Sequence, residues 1–252
     1  MDSEKQLEFG FLEAVLLIKS KILFLILVIL SLSASCATTD GIKNSDAHYK
    51  LGIAYLNSDK VQQAFVEFHK AYDLNPHNKE ILNAIGIVYL LHLDETKKAI
   101  EWFEKAVKED PSFSEAYNNL GYSYEKLGDF EKALSFYRKA LSNPLYPTAE
   151  KAYINMGNAY YRLGKNDAAL QSYKEAIKRA PGLSLGYWRL ALCLNAMGRY
   201  GEASTAITEA VKLDPLYLGD REKAVEDLRV KKLAAKGYEE KDIADYLEIL
   251  KY

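Results

Sequence analysis

Residues 114–141 read SEAYNNLGYSYEKLGDFEKALSFYRKAL. Tyr117, Leu120 and Tyr124 fall three and four apart, and so do Ala133, Tyr137 and Ala140. That is the spacing of one face of a helix, met twice, with Leu127-Gly128-Asp129 as a turn between the two runs. The stretch therefore predicts two helices folded back on each other. The same pattern recurs at a period of about 34 residues. Gly121 has counterparts in Gly52, Gly86 and Gly157, with Ala191 in the fifth place, and three residues on come Tyr55, Tyr89, Tyr124, Tyr160 and Leu194. Alanines follow at Ala64, Ala99, Ala133, Ala169 and Ala203, each with a bulky residue four later: Phe68, Phe103, Tyr137, Tyr173 and Ile207. A second alanine closes each set at Ala71, Ala106, Ala140, Ala176 and Ala210, and Pro76, Pro111, Pro181 or Pro215 ends most units.

This constellation resembles the tetratricopeptide repeat. Small residues sit where the two helices of a unit come closest, aromatics fill the space between units, and proline ends the second helix because it has no amide proton. Glycine in a helix interior costs about 0.5–1 kcal/mol relative to alanine, so its recurrence at one place implies a close approach that offsets the loss. The expected fold is all-α, a solenoid of helical hairpins with five clear repeats and a C-terminal helical cap or degenerate sixth repeat. The units run 45–78, 79–113, 114–149, 150–183 and 184–217, and residues 218–252 form the cap. In the cap Ala224, Leu228 and Leu233 precede Gly237, and Ile243, Leu247 and Leu250 follow it.

At 49% hydrophobic and 27% charged, the 252-residue chain has a globular composition. Its net charge of -2 leaves no excess positive charge for a nucleic-acid backbone, so no nucleic-acid partner is expected. Cys36 and Cys193 make no disulfide framework, and His48, His69, His77 and His92 lack the close spacing of a metal site. No phosphate loop, nucleophile elbow, zinc helix or kinase signature occurs. Catalysis, cofactor and metal have no candidate residues.

Stacked hairpins instead present a groove lined by the first helix of each unit, suited to a protein partner. Counting from the motif places Asn83 and Ile87, Asn118 and Tyr122, Asn158 and Tyr161, and Trp188 and Arg189 on that groove, with Tyr49, Ile53, Glu125, Ile154 and Leu192 beside them. Asparagine can donate to and accept from an extended chain, and tyrosine and tryptophan offer contact area at low entropic cost. In the chaperone-binding members of this repeat a terminal carboxylate is gripped by, in order, lysine, asparagine, asparagine, lysine and arginine, at positions that here hold Asn83, Ile87, Asn119, Lys151 and Asn155. Two of the five match, which argues against such a clamp.

The N-terminal stretch has its own signature. Residues 22–30, ILFLILVIL, are preceded by Lys19 and Lys21 and followed by small residues, too short a run to span a bilayer and suited to a signal peptide over 1–35. An uncleaved anchor helix from about Ala14 to Leu32 is the alternative. Leu32-Ser33-Ala34-Ser35-Cys36 resembles the bacterial lipoprotein signal. That resemblance implies acylation of Cys36 and, with Ala37 after it, delivery to the outer membrane, followed by a tether over 36–44. A lipoprotein signal leading into these repeats, with the insertion Asn143-Pro144-Leu145-Tyr146-Pro147-Thr148, is similar to the type IV pilus biogenesis and stability lipoproteins, the pilotins of the pilus secretin. The resemblance implies a non-catalytic factor on the periplasmic face of the outer membrane whose partner is the secretin subunit. A general periplasmic adaptor lipoprotein, for instance for a cell-wall hydrolase, and an inner-membrane assembly factor remain the other readings.

Overall fold

A computed structural model describes residues 41–252, and the expectations for Cys36 and the signal stretch lie outside the described residues. Twelve helices and no strand occur among the described residues. They are α1 over 41–57, α2 Val61–Leu74, α3 Lys79–Leu91, α4 Thr96–Glu109, α5 Ser114–Lys126 and α6 Phe130–Leu141, then α7 Ala149–Arg162, α8 Asn166–Arg179, α9 Ser184–Ala196, α10 Tyr200–Leu213, α11 Arg221–Lys232 and α12 Tyr238–Ile249. No helix among them is long and apolar enough to cross a membrane. The chain divides into two compact units, one ending at Ile81 and the other running from Leu82 to Tyr252.

In the first unit α1 and α2 pair as a hairpin. A Cβ on Gly52 would stand 2.5 Å from the Phe68 ring, and Ser45 donates its hydroxyl to the Ala71 carbonyl at 2.8 Å. The second unit repeats the device: a Cβ on Gly86 or Gly157 would meet Phe103 or Tyr173 at 2.5 Å, and one on Gly121 would meet Tyr137 as closely. Each aromatic ring lies flat against bare helix backbone, which is why the motif glycine precedes the motif aromatic in every unit that has it. Phe68, Phe103, Tyr137 and Tyr173 are all fully buried.

The turns inside the hairpins share one geometry. Gly128, Gly164 and Gly198 adopt φ of 79°, 69° and 73°, and Asp59 and Asp94 take the corresponding place at 57° and 53°. The residue after each donates its amide to the carbonyl of the motif tyrosine or leucine, as from Asp129 to Tyr124 and from Lys165 to Tyr160, both 2.9 Å. This closes the first helix in a left-handed cap. The second helices α2, α4, α8 and α10 each end two residues before a proline. Asn75, Asp110, Ala180 and Asp214 each donate an amide to the closing alanine of their unit.

The insertion after α6 is folded into the stack. Tyr146 packs on Ala140, Ala149 and Ala152, and Asn143 accepts the Leu145 amide at 3.0 Å to shape the turn. Leu145 itself is 84% exposed. Cys193 is buried with its thiol donating to the Asn166 carbonyl at 3.3 Å, and burial pushes its pKa up to about 11, an inert thiol in the core.

The C-terminal pair closes the last unit. Ala224 and Leu228 of α11 and Ile243, Tyr246, Ile249 and Leu250 of the α12 segment join the core formed by α9 and α10. Leu233, expected on the apolar face of the cap, is 87% exposed because α11 has already ended there. Arg221 holds the end of α12 by donating from Nε to the Leu250 carbonyl at 2.8 Å.

Candidate functional site

In the second unit the face made by the first helices α5, α7 and α9 bears most of the residues expected in the groove. The structure sorts them into three groups. Asn83 and Asn118 are buried, and their side chains join neighbouring first helices: Asn119 donates to Asn83 at 2.9 Å, and Asn155 donates to Asn118 at 3.2 Å. These amides form a ladder from helix to helix, so their oxygens serve the stack. Asn158 likewise accepts the buried Tyr173 hydroxyl at 3.0 Å. Ile154 and Leu192 are core residues.

Tyr161, Trp188 and Arg189 form the second group, and α12 covers them. Trp188 is buried edge-to-face against Tyr246 of α12, ring centroids 5.0 Å apart, and donates its indole N–H to Asp214 at 3.3 Å. Burial, and then the negative charges of Asp242 and Asp245, push the Tyr161 phenol up to about 12. Asp242 of α12 is the centre of this contact. Arg162 grips its carboxylate with both Nη atoms, at 2.8 and 2.5 Å, and Arg189 Nη1 adds a third bond at 3.0 Å. The side chain of Asp242 is 6% exposed, and those of Arg162 and Arg189 are 14% and 28% exposed. Burial disfavours the Arg162 charge, but the ion pair with Asp242 outweighs it and raises its pKa; Tyr246 and Asp242 act on Arg189 in the same direction. Arg162 also lies over the Tyr238 ring, 4.5 Å from its centroid.

The third group borders open space. Ile87 and Tyr122 are half-buried beside the core of α3–α5, and Tyr122, Glu125, Phe130, Arg162 and Tyr238 line a cleft of about 890 Å³ between α5 and the C-terminal helices. Glu125 accepts the Tyr137 hydroxyl at 2.7 Å. Burial raises its pKa, against the hydrogen bond from Tyr137 and the charges of Arg189 and Arg162. Arg162, Phe130, Tyr238 and Asp242 were not among the residues expected here. Arg162 stands four residues after Asn158, one turn further along the same face of its helix, so that spacing would have found it.

The arrangement is that of a binding surface. It offers aromatic area, two arginines converging on the Asp242 carboxylate and a cleft lined by Tyr122, Phe130 and Tyr238. Among the described residues no group of three or more His, Cys, Asp or Glu converges as metal ligands do.

Residues 112–182 and 154–217 match family models described as tetratricopeptide repeat, and residues 93–128 match one described as TPR repeat. Among curated relatives, anaphase-promoting complex subunit 3 of Schizosaccharomyces pombe is 32% identical over 93 residues, 37% of this chain and 14% of that protein. The type IV pilus assembly protein PilF of Pseudomonas aeruginosa is 29% identical over 102 residues, 40% of each chain. This chain thus spans well under two thirds of either relative. A solved structure of Pseudomonas aeruginosa pilF superposes with a TM-score of 0.66 at 20% identity, over 82% of this chain and 90% of that one. The shared fold is the all-α tetratricopeptide repeat solenoid.

Proposed function

We propose that this tetratricopeptide-repeat chain is a non-catalytic protein-binding scaffold, a lipoprotein held at the periplasmic face of the outer membrane through Cys36, that assists the localisation and assembly of the type IV pilus secretin. The observation that carries the reading is a coincidence of three features. They are the small residues leading to Cys36, the Pro-Leu-Tyr-Pro-Thr insertion after the third hairpin, and the 29% identity to a type IV pilus assembly protein across the repeats. Acyl chains on Cys36 supply a stable anchor at about 0.8 kcal/mol per buried methylene, and the face of α5, α7 and α9 supplies the docking surface.

A Cys36→Ala strain tests both halves. Labelled palmitate enters the wild-type protein and not the variant, and heat- and detergent-resistant secretin rings give way to monomers. Equal labelling refutes the lipoprotein, and unchanged rings after deletion of the whole gene refute the secretin role. One observation favours a second reading. Comparable identity to a subunit of a quite different assembly, the 32% match to anaphase-promoting complex subunit 3, fits a general adaptor whose partner is another protein of the same compartment.

A further inference from the structure

In a stack of hairpins a terminal helix is needed only to cover the last apolar face. The α12 helix does this with Ile249 and Leu250, yet its first half reaches beyond the last unit, to Arg162 on α7 and to Phe130 at the start of α6, whose ring stands 6.4 Å from that of Tyr238. It lies across the face of the first helices, where the groove reading puts a bound chain. Its chemistry matches what it touches. From Tyr238 to Ile249 it carries Glu239, Glu240, Asp242, Asp245 and Glu248 against one lysine, and it presents Asp242 to two arginines and Tyr246, one turn on, to Trp188.

The fit is incomplete in three ways. Arg189 Nε is buried with no hydrogen-bond partner among the described residues, so the guanidinium is only partly satisfied. Tyr238, at the start of α12, is 59% exposed, and the cleft of about 890 Å³ continues the groove beside it. Residues 233 to 237, which join α11 to α12, are mostly exposed, and Gly237 has φ of 60°. That joint ties α12 down weakly from its N-terminal side.

We propose that α12 is a resident ligand of the face formed by α7 and α9. The partner of this chain then engages the same face with an amphipathic helix of the same kind, an acidic residue followed four positions later by an aromatic one, taking the place of α12. The inference rests on the scaffold reading above and names the chemistry of its partner. A helix tethered by a short joint competes at an effective concentration on the order of millimolar, so the intact chain masks the face from free peptide, and weakening α12 exposes it.

The test needs no natural partner. A fluorescent synthetic peptide of residues 237–252 is titrated into the full chain and into the full chain carrying Asp242→Ala with Tyr246→Ala. The substituted chain should bind the peptide at least tenfold more tightly than the wild type. Arg162→Ala and Arg189→Ala added to it should remove the binding, as should Asp242→Ala in the peptide. A folded double variant that binds no better than the wild type overturns the proposal. Should the double variant unfold, hydrogen exchange of the wild type decides: α12 amides exchanging at least tenfold faster than those of α9, as a block, support displacement, and equal protection makes α12 a fixed part of the core and overturns it. If the peptide binds as described and secretin does not, the pilus reading alone fails; if secretin binds while α12 stays fixed, displacement alone fails.

Discussion

At the scale of single residues the groove carries its own electrostatic strain. Glu125 is a carboxylate at a binding surface whose burial favours the protonated form, with the Tyr137 hydroxyl and two arginines opposing. Because its folded pKa is raised above the ordinary 4.5, its contribution to stability is fully present below that value and is lost as pH rises through the raised one. Glu125→Gln keeps an oxygen to accept from Tyr137 and removes the charge. The variant should therefore resist urea better than the wild type near neutral pH, with the difference closing at about pH 4, where the wild-type carboxyl is protonated in both states. A variant less stable at neutral pH would mean that the charged carboxylate makes a favourable contact with Arg162 or Arg189 that exceeds its desolvation cost.

At the scale of elements, the hairpin is decided by one close approach, and that makes it both legible and brittle. Gly121→Leu must drive a side chain into the fully buried Tyr137 ring, which has no open side to move toward, so the cost should lie toward the upper end of the ~1–3 kcal/mol typical of overpacking. Thermal unfolding read by circular dichroism checks it, with Gly128→Ala as the comparison. A Cβ there meets nothing within 4 Å, and the φ of 79° alone should cost about 1 kcal/mol. Equal losses would place the weight on backbone conformation and not on the packing of Tyr137. The same contact explains why the hairpins could be read from sequence: it recurs in four of the five units, with glycine and aromatic 16 or 17 residues apart, and is written in residue sizes. The asparagine ladder was misread for a related reason. Asn83 and Asn118 occupy groove-side positions, and only the amides that follow in the next unit, Asn119 and Asn155, reveal that they are used within the stack. The course of α12 left no periodic trace, since Arg162 and Asp242 meet across 80 residues of sequence through a single ion pair. The one signal was charge, an acidic C-terminal helix in a chain with Arg189 on the expected groove.

At the scale of the molecule, the placement of α12 decides which part of the surface remains for a partner that arrives without displacing it. Tyr161, Trp188 and Arg189 lie beneath α12, and replacing any of them disturbs the C-terminal helix before it disturbs a ligand. Tyr122 is different: it is half-buried, it lines the open cleft with Glu125 and Phe130, and no bond to the cap depends on it. An interface aromatic that anchors a partner is worth about 2 kcal/mol or more, roughly a thirty-fold change in affinity. On the proposed function, Tyr122→Ala should thus weaken capture of the secretin subunit by that factor in a pull-down with purified components while leaving helix content unchanged. Lys174→Ala, on α8 beside a separate cleft lined by Tyr187 and Leu190, should change neither. If Tyr122→Ala binds secretin as the wild type does and Lys174→Ala does not, the working surface is the one between α8 and α10, and the face of the first helices serves α12 alone.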